Sequence, residues 1–362
     1  MSRVEEVIKS PLDLVEELAI TETMRRNVQR HQEEMKAVLD EKDHRMVILA
    51  GPCSIHNIPA AMEYAELEWE MPGEKVVDYA EGTVYVSTVD ELLSAIAPNV
   101  TIYLEEGDYD LSTAAEYGGY GNDYYAWEAR HDGPSLMIFN CDNLSIIGAG
   151  KDKTNILAIP RYADVFQFTN CGNLTLSGFT AGHLEGAGYC SGDVMKLQDC
   201  EGVSMEELGL FGCGYIGINA FRCNNMSLKN CDIYECTGSG LNINNCEGLE
   251  MDGCTLRDTG GIGMYLNGCL DVSLSNSSFS DLCRDYGGLS SPFIAVSMSS
   301  NVELSACNFS DGADNACAVF DGCKSVQIND CQSSIPGWSF RAFNESSVHV
   351  DGIAVENSSD HW

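Results

Sequence analysis

The chain has 362 residues, and its 55 acidic side chains outnumber the 20 basic ones, which gives a formal net charge of −35. This charge repels nucleic acid and anionic membrane surfaces, so we expect neither as a partner. No apolar run reaches membrane-spanning length, and the charged first residues lack the pattern of a signal peptide, so we expect a cytoplasmic protein.

Residues 1–70 predict a short α/β segment. A charged helical pattern begins at Pro11, and an apolar strand, Met46–Ala50, follows it. The turn Gly51-Pro-Cys-Ser-Ile-His56 comes next, and a second helix starts at Pro59. The order helix, strand, glycine turn, helix is typical of the entry into an α/β barrel.

The stretch MVILAGPCSIHNIPAAMEYA, residues 46–65, resembles the opening strand and first barrel helix of class I DAHP (3-deoxy-arabino-heptulosonate 7-phosphate) synthase. The resemblance implies an origin in aromatic amino acid biosynthesis and gives Cys53 the position of a ligand to the catalytic divalent metal. It ends at about Glu70, before the family's Lys-Pro-Arg-Thr motif and later barrel strands, and Asn57 stands where the family usually has Asp. One βα unit cannot close a barrel. We therefore predict an incomplete aldolase-type fragment, a chimera with the rest of the chain, that binds no divalent metal and makes no DAHP.

Residues 71–85 are interpreted as a join. Val86–Ala97 then predicts a helix, with Thr88 as N-cap and Glu91 completing a capping box. A strand, Val100–Leu104, follows it. This helix and the stretch TIYLEEGDYDLS resemble the opening of many pectin-lyase-like β-helices, in which the helix is expected to cover the open end of the stack.

A short phrase built around cysteine recurs from residue 140 onwards, mostly at intervals of about 23 residues. Its last position is always apolar: Leu144, Leu174, Val203, Met226, Leu249, Val272, Val302, Val326 and Val348. A second apolar residue lies two positions later, which indicates a strand with one buried face, and the Asn, Gly, Asp and Ser between strands suit tight corners. The repeat predicts an all-β fold, a right-handed parallel β-helix over residues 86–357 with three short strands in each coil.

Cysteine is abundant, with 17 residues, and most of them fall in register with the repeat. One column comprises Cys141, Cys171, Cys200, Cys223, Cys246, Cys269 and Cys323, and a second comprises Cys231, Cys254, Cys307 and Cys331. A disulfide framework is typical of small secreted scaffolds, and the chain has no Cys-x-x-Cys pair for a metal. We interpret the columns as ladders of reduced, buried thiols.

Aromatic side chains in two loops are candidates for binding a polysaccharide. Tyr124, Tyr125 and Trp127 lie among glycines in residues 112–135, and Tyr162 lies in a later loop. Exposed rings stack on sugar faces, but the same side chains could instead fold over the end of the stack.

The longer coils carry their extra residues at one corner, near residues 150–163, 180–192 and 282–292. Asp164 and Asp193 are 29 residues apart, as Leu174 and Val203 are, so they occupy equivalent positions on adjacent rungs, about 4.8 Å apart. The neighbouring loops add Arg161, His183 and Glu185. The two carboxylates could be the acid and nucleophile of a retaining glycoside hydrolase, or could hold Ca²⁺. Alternatively, each Asp caps its own turn and Arg161 neutralises the pair.

The stretches PRYADVFQF, GFTAGHLEGAGYCSGDV and LFGCGYIGI resemble uncharacterised bacterial right-handed β-helix repeat proteins. This resemblance implies a fold and no particular reaction, and polygalacturonase motifs are absent from the sequence. We expect a carbohydrate-binding or polysaccharide-processing protein of the lyase or hydrolase type. The alternatives are a non-catalytic interaction solenoid and, by its N-terminal fragment alone, a DAHP synthase.

Overall fold

The computed structural model describes residues 82–184, 191–212, 215–284 and 292–359. All of them belong to one compact unit, Tyr79–Trp362. The predicted N-terminal α/β fragment, with Cys53, lies outside the described residues. Within these ranges no helix is both long and apolar enough to cross a membrane.

Three sheets of short strands run the length of this unit, and the chain passes from sheet to sheet in every coil. Sheet A contains, in spatial order, β1 (Gly82–Val86), β2 (Val100–Leu104), β6 (Ser145–Ile147), β9 (Gly172–Ser177), β12 (Glu201–Glu206), β15 (Asn224–Lys229), β18 (Glu247–Asp252), β21 (Leu270–Ser275), β24 (Ser300–Ser305), β27 (Lys324–Asn329), β30 (Val348–Val350) and β31 (Ile353–Ala354). Sheet B contains β3 (Gly107–Asp110), β7 (Thr154–Ala158), β10 (Thr180–His183), β13 (Gly209–Phe211), β16 (Asp232–Tyr234), β19 (Thr255–Arg257), β22 (Ser278–Ser280), β25 (Asn308–Ser310) and β28 (Gln332–Ser333). Sheet C contains β4 (Tyr125–Ala129), β5 (Pro134–Phe139), β8 (Phe166–Thr169), β11 (Met195–Gln198), β14 (Ile216–Phe221), β17 (Ser239–Asn244), β20 (Met264–Asn267), β23 (Pro292–Ser297), β26 (Cys317–Asp321) and β29 (Ser339–Phe343).

Neighbouring strands are parallel, except in the antiparallel pairs β4–β5 and β30–β31 at the two ends. Leu174, Val203 and Met226 lie directly opposite one another on β9, β12 and β15, and all three are buried. The apolar column of the repeat is therefore the core-facing row of sheet A. This register confirms the predicted parallel β-helix with three strands per coil.

The corner between sheets C and A needs a left-handed backbone in every coil. The residues with positive φ there are Asn140, Asn170, Asp199, Arg222, Asn245, Gly268, Met298, Gly322 and Asn344. Asn and Gly adopt this conformation at least cost. Asn amides also link successive rungs, since Asn170 Nδ2 donates to Asn140 Oδ1 at 2.6 Å.

The fourteen cysteines in the described ranges are all free, and most are buried. Their thiols form hydrogen bonds in a regular pattern: Cys246 Sγ donates to Asn244 O at 3.3 Å and accepts the backbone N–H of Cys223 at 3.3 Å. Ser299 continues the same column, where its Oγ accepts the N–H of Cys269 at 2.9 Å. The side chains of the cysteine ladders therefore accept hydrogen bonds from buried backbone N–H groups, in addition to filling space inside the solenoid.

The helix at the start of the unit, α1 (Val89–Ala95), is shorter than the predicted stretch Val86–Ala97 and begins directly after Thr88. Residues 82–86 instead form β1, parallel to β2, so β1 also takes up residues that we had interpreted as a join. Thr88 is the N-cap and accepts the N–H of Glu91 at 3.2 Å, as predicted, whereas the Glu91 carboxylate accepts the N–H of Ser87 at 2.8 Å. A short 3₁₀ helix, Leu111–Thr113, follows β3.

Candidate active site at the start of sheet C

Asp164 and Asp193 lie two residues before the first residues of β8 and β11, in equivalent positions on adjacent rungs. The backbone N–H of Asp193 donates to Asp164 Oδ1 at 2.8 Å, and the N–H of Asp164 donates to Ser135 Oγ at 2.9 Å. The two residues are only 5% and 6% exposed. The 29-residue register therefore brings the two carboxyl groups together, in a buried setting.

Two cations lie near Asp164, of which Arg130 is shared with Glu128, whose Oε2 is 2.7 Å from Arg130 Nη2. Asp164 Oδ2 is 3.5 Å from Arg130 Nη2 and 3.6 Å from Lys196 Nζ. The sequence analysis gave the role of neutralising the pair to Arg161, whose backbone N–H donates to Asp132 Oδ2 at 2.6 Å. Arg130 directly follows the antiparallel strand β4, outside the 23-residue repeat, so the repeat gave no signal for it.

Asp193 has a different environment from Asp164. Its Oδ2 accepts a hydrogen bond from Asn219 Nδ2, on the next rung, at 2.7 Å. The pKa of Asp193 is raised to about 7, chiefly by burial and to a smaller extent by the charge of Asp164, while Asn219 and Lys196 act in the opposite direction. A carboxylic acid with such a pKa holds its proton close to neutral pH and can donate it.

His183, the last residue of β10, lies inside the coil beside this pair. Its Nε2 is 2.9 Å from Ala163 O, which can only accept, so Nε2 carries the hydrogen, and its buried Nδ1 has no partner. Burial lowers the pKa of His183, which favours the neutral ring. His183 therefore holds the residue before Asp164 in place and does not face a substrate. Glu185, the other predicted residue from this loop, lies outside the described residues.

Of the four candidate aromatics, Tyr125 and Trp127 point towards the core. They lie opposite Ile138 and Leu136 in the antiparallel β4–β5 pair, and opposite residues of such a pair share one face. Tyr125 is buried, and Trp127 and Tyr124 pack against the same core. These three rings therefore close the end of the stack.

Tyr162 is the exposed member of the four candidates, at 40%. Its ring lies 5.3 Å from that of His131, and its backbone N–H donates to Asp132 Oδ1 at 3.1 Å. Tyr162 thus keeps a ring available to a ligand, two residues before Asp164.

Beyond the carboxyl pair, the outer side of sheet C carries two columns of mostly uncharged polar side chains, which we name the amide face. One column is Gln167, Lys196, Asn219, Asn242 and Tyr265, and the next is Thr169, Gln198, Phe221, Asn244 and Asn267. Asn244 Nδ2 donates to Asn242 Oδ1 at 2.8 Å within this surface. The sequence analysis did not identify it, although the same 23-residue register would have placed its members in line.

A calcium site does not fit these residues. The oxygens of Asp164 already accept a backbone N–H and face two cations, whereas Ca²⁺ takes six to eight oxygen ligands. Across the four described ranges, no group of three or more His, Cys, Asp or Glu side chains could hold a metal ion.

Residues 166–361, more than half of the chain, match the family described as the right-handed β-helix region. The chain belongs to this family. The β-helix is similar to alginate lyase from Paenibacillus sp. str. FPU-7, with a TM-score of 0.47, 14% identity, and coverage of 72% of this chain and 98% of that chain. It is also similar to the catalytic domain of a GH87 α-1,3-glucanase, with a TM-score of 0.47, 12% identity, and coverage of 75% and 57%.

A 58-residue stretch is 40% identical to the tyrosine-inhibited phospho-2-dehydro-3-deoxyheptonate aldolase of Schizosaccharomyces pombe. It covers 16% of this chain and 16% of that relative. The comparison confirms the resemblance to DAHP synthase and limits it to a small part of that enzyme.

Proposed function

We propose that this β-helix protein binds a polysaccharide along the amide face and cleaves its glycosidic bonds with Asp193 as the proton donor. The observation that carries the proposal is the buried pair Asp164 and Asp193, at the start of the strands that present this face. Amide groups can donate to and accept from sugar hydroxyls, and the rings of Tyr265 and Phe221 offer apolar surface to sugar faces.

In the proposed reaction, Asp193 gives its proton to the glycosidic oxygen while the bond from that oxygen to the anomeric carbon breaks. A water oxygen then bonds to the anomeric carbon and passes a proton back to Asp193. Asp164, held by Arg130 and Lys196, positions Asp193 and supplies negative charge near the oxocarbenium-like centre.

The second candidate is a non-catalytic binding solenoid. It is favoured by the low exposure of Asp164 and Asp193 and by their hydrogen bonds to protein groups. In that case the pair stabilises the corner, and the amide face alone contacts the glycan.

The deciding experiment incubates the protein with soluble neutral and anionic polysaccharides and measures new reducing ends and unsaturated products. We expect cleavage that falls by about 100-fold or more in Asp193→Asn. Asp232→Asn is the matched control, since Asp232 is an ion-paired carboxylate on sheet B, 2.9 Å from Arg257 Nη2, and it should retain activity. Binding without cleavage, equal in parent and Asp193→Asn, would favour the second candidate, and the absence of both binding and cleavage would refute the proposal.

A further inference from the structure

Two buried polar atoms on β8 have no hydrogen-bond partner, namely Gln167 Oε1 and Thr169 Oγ1. Both residues alternate with Phe166 and Phe168, which are fully buried in the core, so both belong to the outer side of the sheet. Gln167 is nevertheless only 7% exposed. The amide face therefore begins, next to the carboxyl pair, with two acceptor atoms that neither the protein nor bulk solvent satisfies.

Unpaired buried polar atoms are rare in folded proteins because each has lost its hydrogen bonds to water without replacement. An amide oxygen can only accept, and a threonine hydroxyl can accept as well as donate. A ligand that fits both atoms must therefore bring hydrogen donors. Sugar hydroxyls are such donors, whereas a carboxylate placed against either atom has no hydrogen to give, so any carboxylate of the ligand would have to point elsewhere.

The charges near these two residues favour an uncharged ligand. Lys196 lies beside Gln167 on β11, but its ammonium group is already 3.6 Å from Asp164 Oδ2. The formal net charge of −35 on the whole chain opposes the approach of a polyanion.

We infer that Gln167 and Thr169 form a subsite for a neutral sugar unit, whose hydroxyl groups donate to Gln167 Oε1 and Thr169 Oγ1. The substrate is accordingly an uncharged polysaccharide. This inference rests on the proposed function, which places a glycan on the amide face.

The first test uses the protein without ligand and measures urea unfolding. Thr169→Val removes an unpaired hydroxyl with little change in shape, so the unfolding midpoint should stay the same or rise. The matched control is Thr154→Val on sheet B, because Thr154 Oγ1 accepts the N–H of Ala149 at 3.0 Å and is 3.3 Å from Glu105 O. Thr154→Val should lower the midpoint. An equal loss in Thr169→Val would mean that its hydroxyl is bonded within the protein, and would overturn the subsite.

The second test measures retardation in gels that contain a neutral polysaccharide (a soluble β-glucan, a galactomannan or dextran) or an anionic one (alginate or polygalacturonate). We expect the parent to be retarded by at least one neutral polysaccharide and not by the anionic ones. Thr169→Val and Gln167→Met should each weaken that binding about tenfold, while Thr154→Val binds like the parent.

The outcomes separate this inference from the proposed function. Binding and Asp193-dependent cleavage of anionic polysaccharides alone would refute the neutral subsite and leave the proposed function standing. Binding of a neutral polysaccharide that depends on Thr169 and is not followed by cleavage would support the subsite and refute the catalytic part of the proposed function. Neutral binding unaffected by both variants, or no retardation by any polysaccharide, would overturn the subsite.

Discussion

At the residue scale, the two carboxyl groups of the pair differ in their partners and not in their burial. Asp164 and Asp193 are almost equally buried, but Asp164 faces Arg130 and Lys196, whereas the partner of Asp193 Oδ2 is the uncharged amide of Asn219. Two carboxyl groups in one site with different partners can take different roles in acid–base catalysis. This asymmetry is the reason why the proposed mechanism gives proton donation to Asp193.

The stability of the protein should depend on pH through Asp193. Its pKa rises from 3.8 to about 7 on folding, so between these pH values the native state holds a proton that the unfolded chain has released. Stability should therefore fall as pH rises through this window, by at most about 1.4 kcal/mol per pH unit. Urea unfolding across the window should show this fall in the parent and a flatter profile in Asp193→Asn.

His183 acts with the opposite sign, because its lowered pKa makes stability rise with pH through the values near 6.5. The contribution of His183 is present in the parent and in Asp193→Asn, so the difference between their two pH profiles isolates the contribution of Asp193. Parallel profiles would show that Asp193 titrates normally in the folded state.

The hydrogen bonds of the thiol ladder predict which substitution of Cys246 lowers the stability of the protein least. Serine can replace the thiol in both of its hydrogen bonds, as Ser299 does in the same column. Valine fits the apolar surroundings but leaves the buried N–H of Cys223 without an acceptor, which costs about 1–3 kcal/mol. Urea unfolding should therefore find Cys246→Val less stable than Cys246→Ser, and the reverse order would mean that the ladder acts through apolar packing alone.

The site was only partly predictable at this scale. Counting residues sufficed to place Asp164 next to Asp193, because the register of a parallel stack repeats along the chain. It could not reveal Arg130, whose strand is antiparallel and outside the repeat, nor the inward direction of Tyr125 and Trp127, which follows from the same pairing. Burial, and with it the pKa of Asp193, depends on the three-dimensional packing of several coils.

At the element scale, the fold depends on corners as much as on strands. Asn and Gly mark the corners in the sequence because both adopt the left-handed conformation readily, so the repeat could be divided into strands without a structure. β1 was missed because Gly82–Val86 contains neither the cysteine phrase nor a corner residue on both sides. Its assignment depends on pairing with β2, which only the folded chain shows.

Met298 and Arg222 are the two residues of the corner column between sheets C and A that are neither Asn, Asp nor Gly, and Met298 makes the clearer test. It has φ 47°, a conformation that costs an ordinary side chain about 1 kcal/mol, and its side chain is 66% exposed. Met298→Asn should therefore raise the free energy of unfolding by about 0.5–1 kcal/mol, as measured by urea unfolding. Met298→Leu keeps the backbone strain and serves as the control. An equal rise in the free energy of unfolding in both variants would show that the gain does not come from the backbone conformation.

At the scale of the whole molecule, the aldolase-like sequence and the start of the β-helix lie a short distance apart along the chain. The turn around Cys53 carries the resemblance to an aldolase, of which the matched stretch covers 16%, and β1 of the β-helix begins at Gly82. From that strand onwards the described chain forms parallel coils, in place of the alternating strands and helices that an α/β barrel requires. The described chain that follows Cys53 thus lacks the further barrel strands that would supply the other metal ligands of an aldolase site.

We therefore predict that the protein makes no DAHP from erythrose 4-phosphate and phosphoenolpyruvate. A metal-dependent aldolase site of this kind needs ligands and phosphate-binding groups from several barrel strands, and one βα unit supplies a single thiolate at most. Product formation with an added divalent metal should not exceed that of the Cys53→Ala variant or of a sample treated with chelator. Turnover that depends on both the metal and Cys53 would show that the aldolase-like segment obtains a complete site, for example from a second protein, and would return DAHP synthesis to the candidate functions.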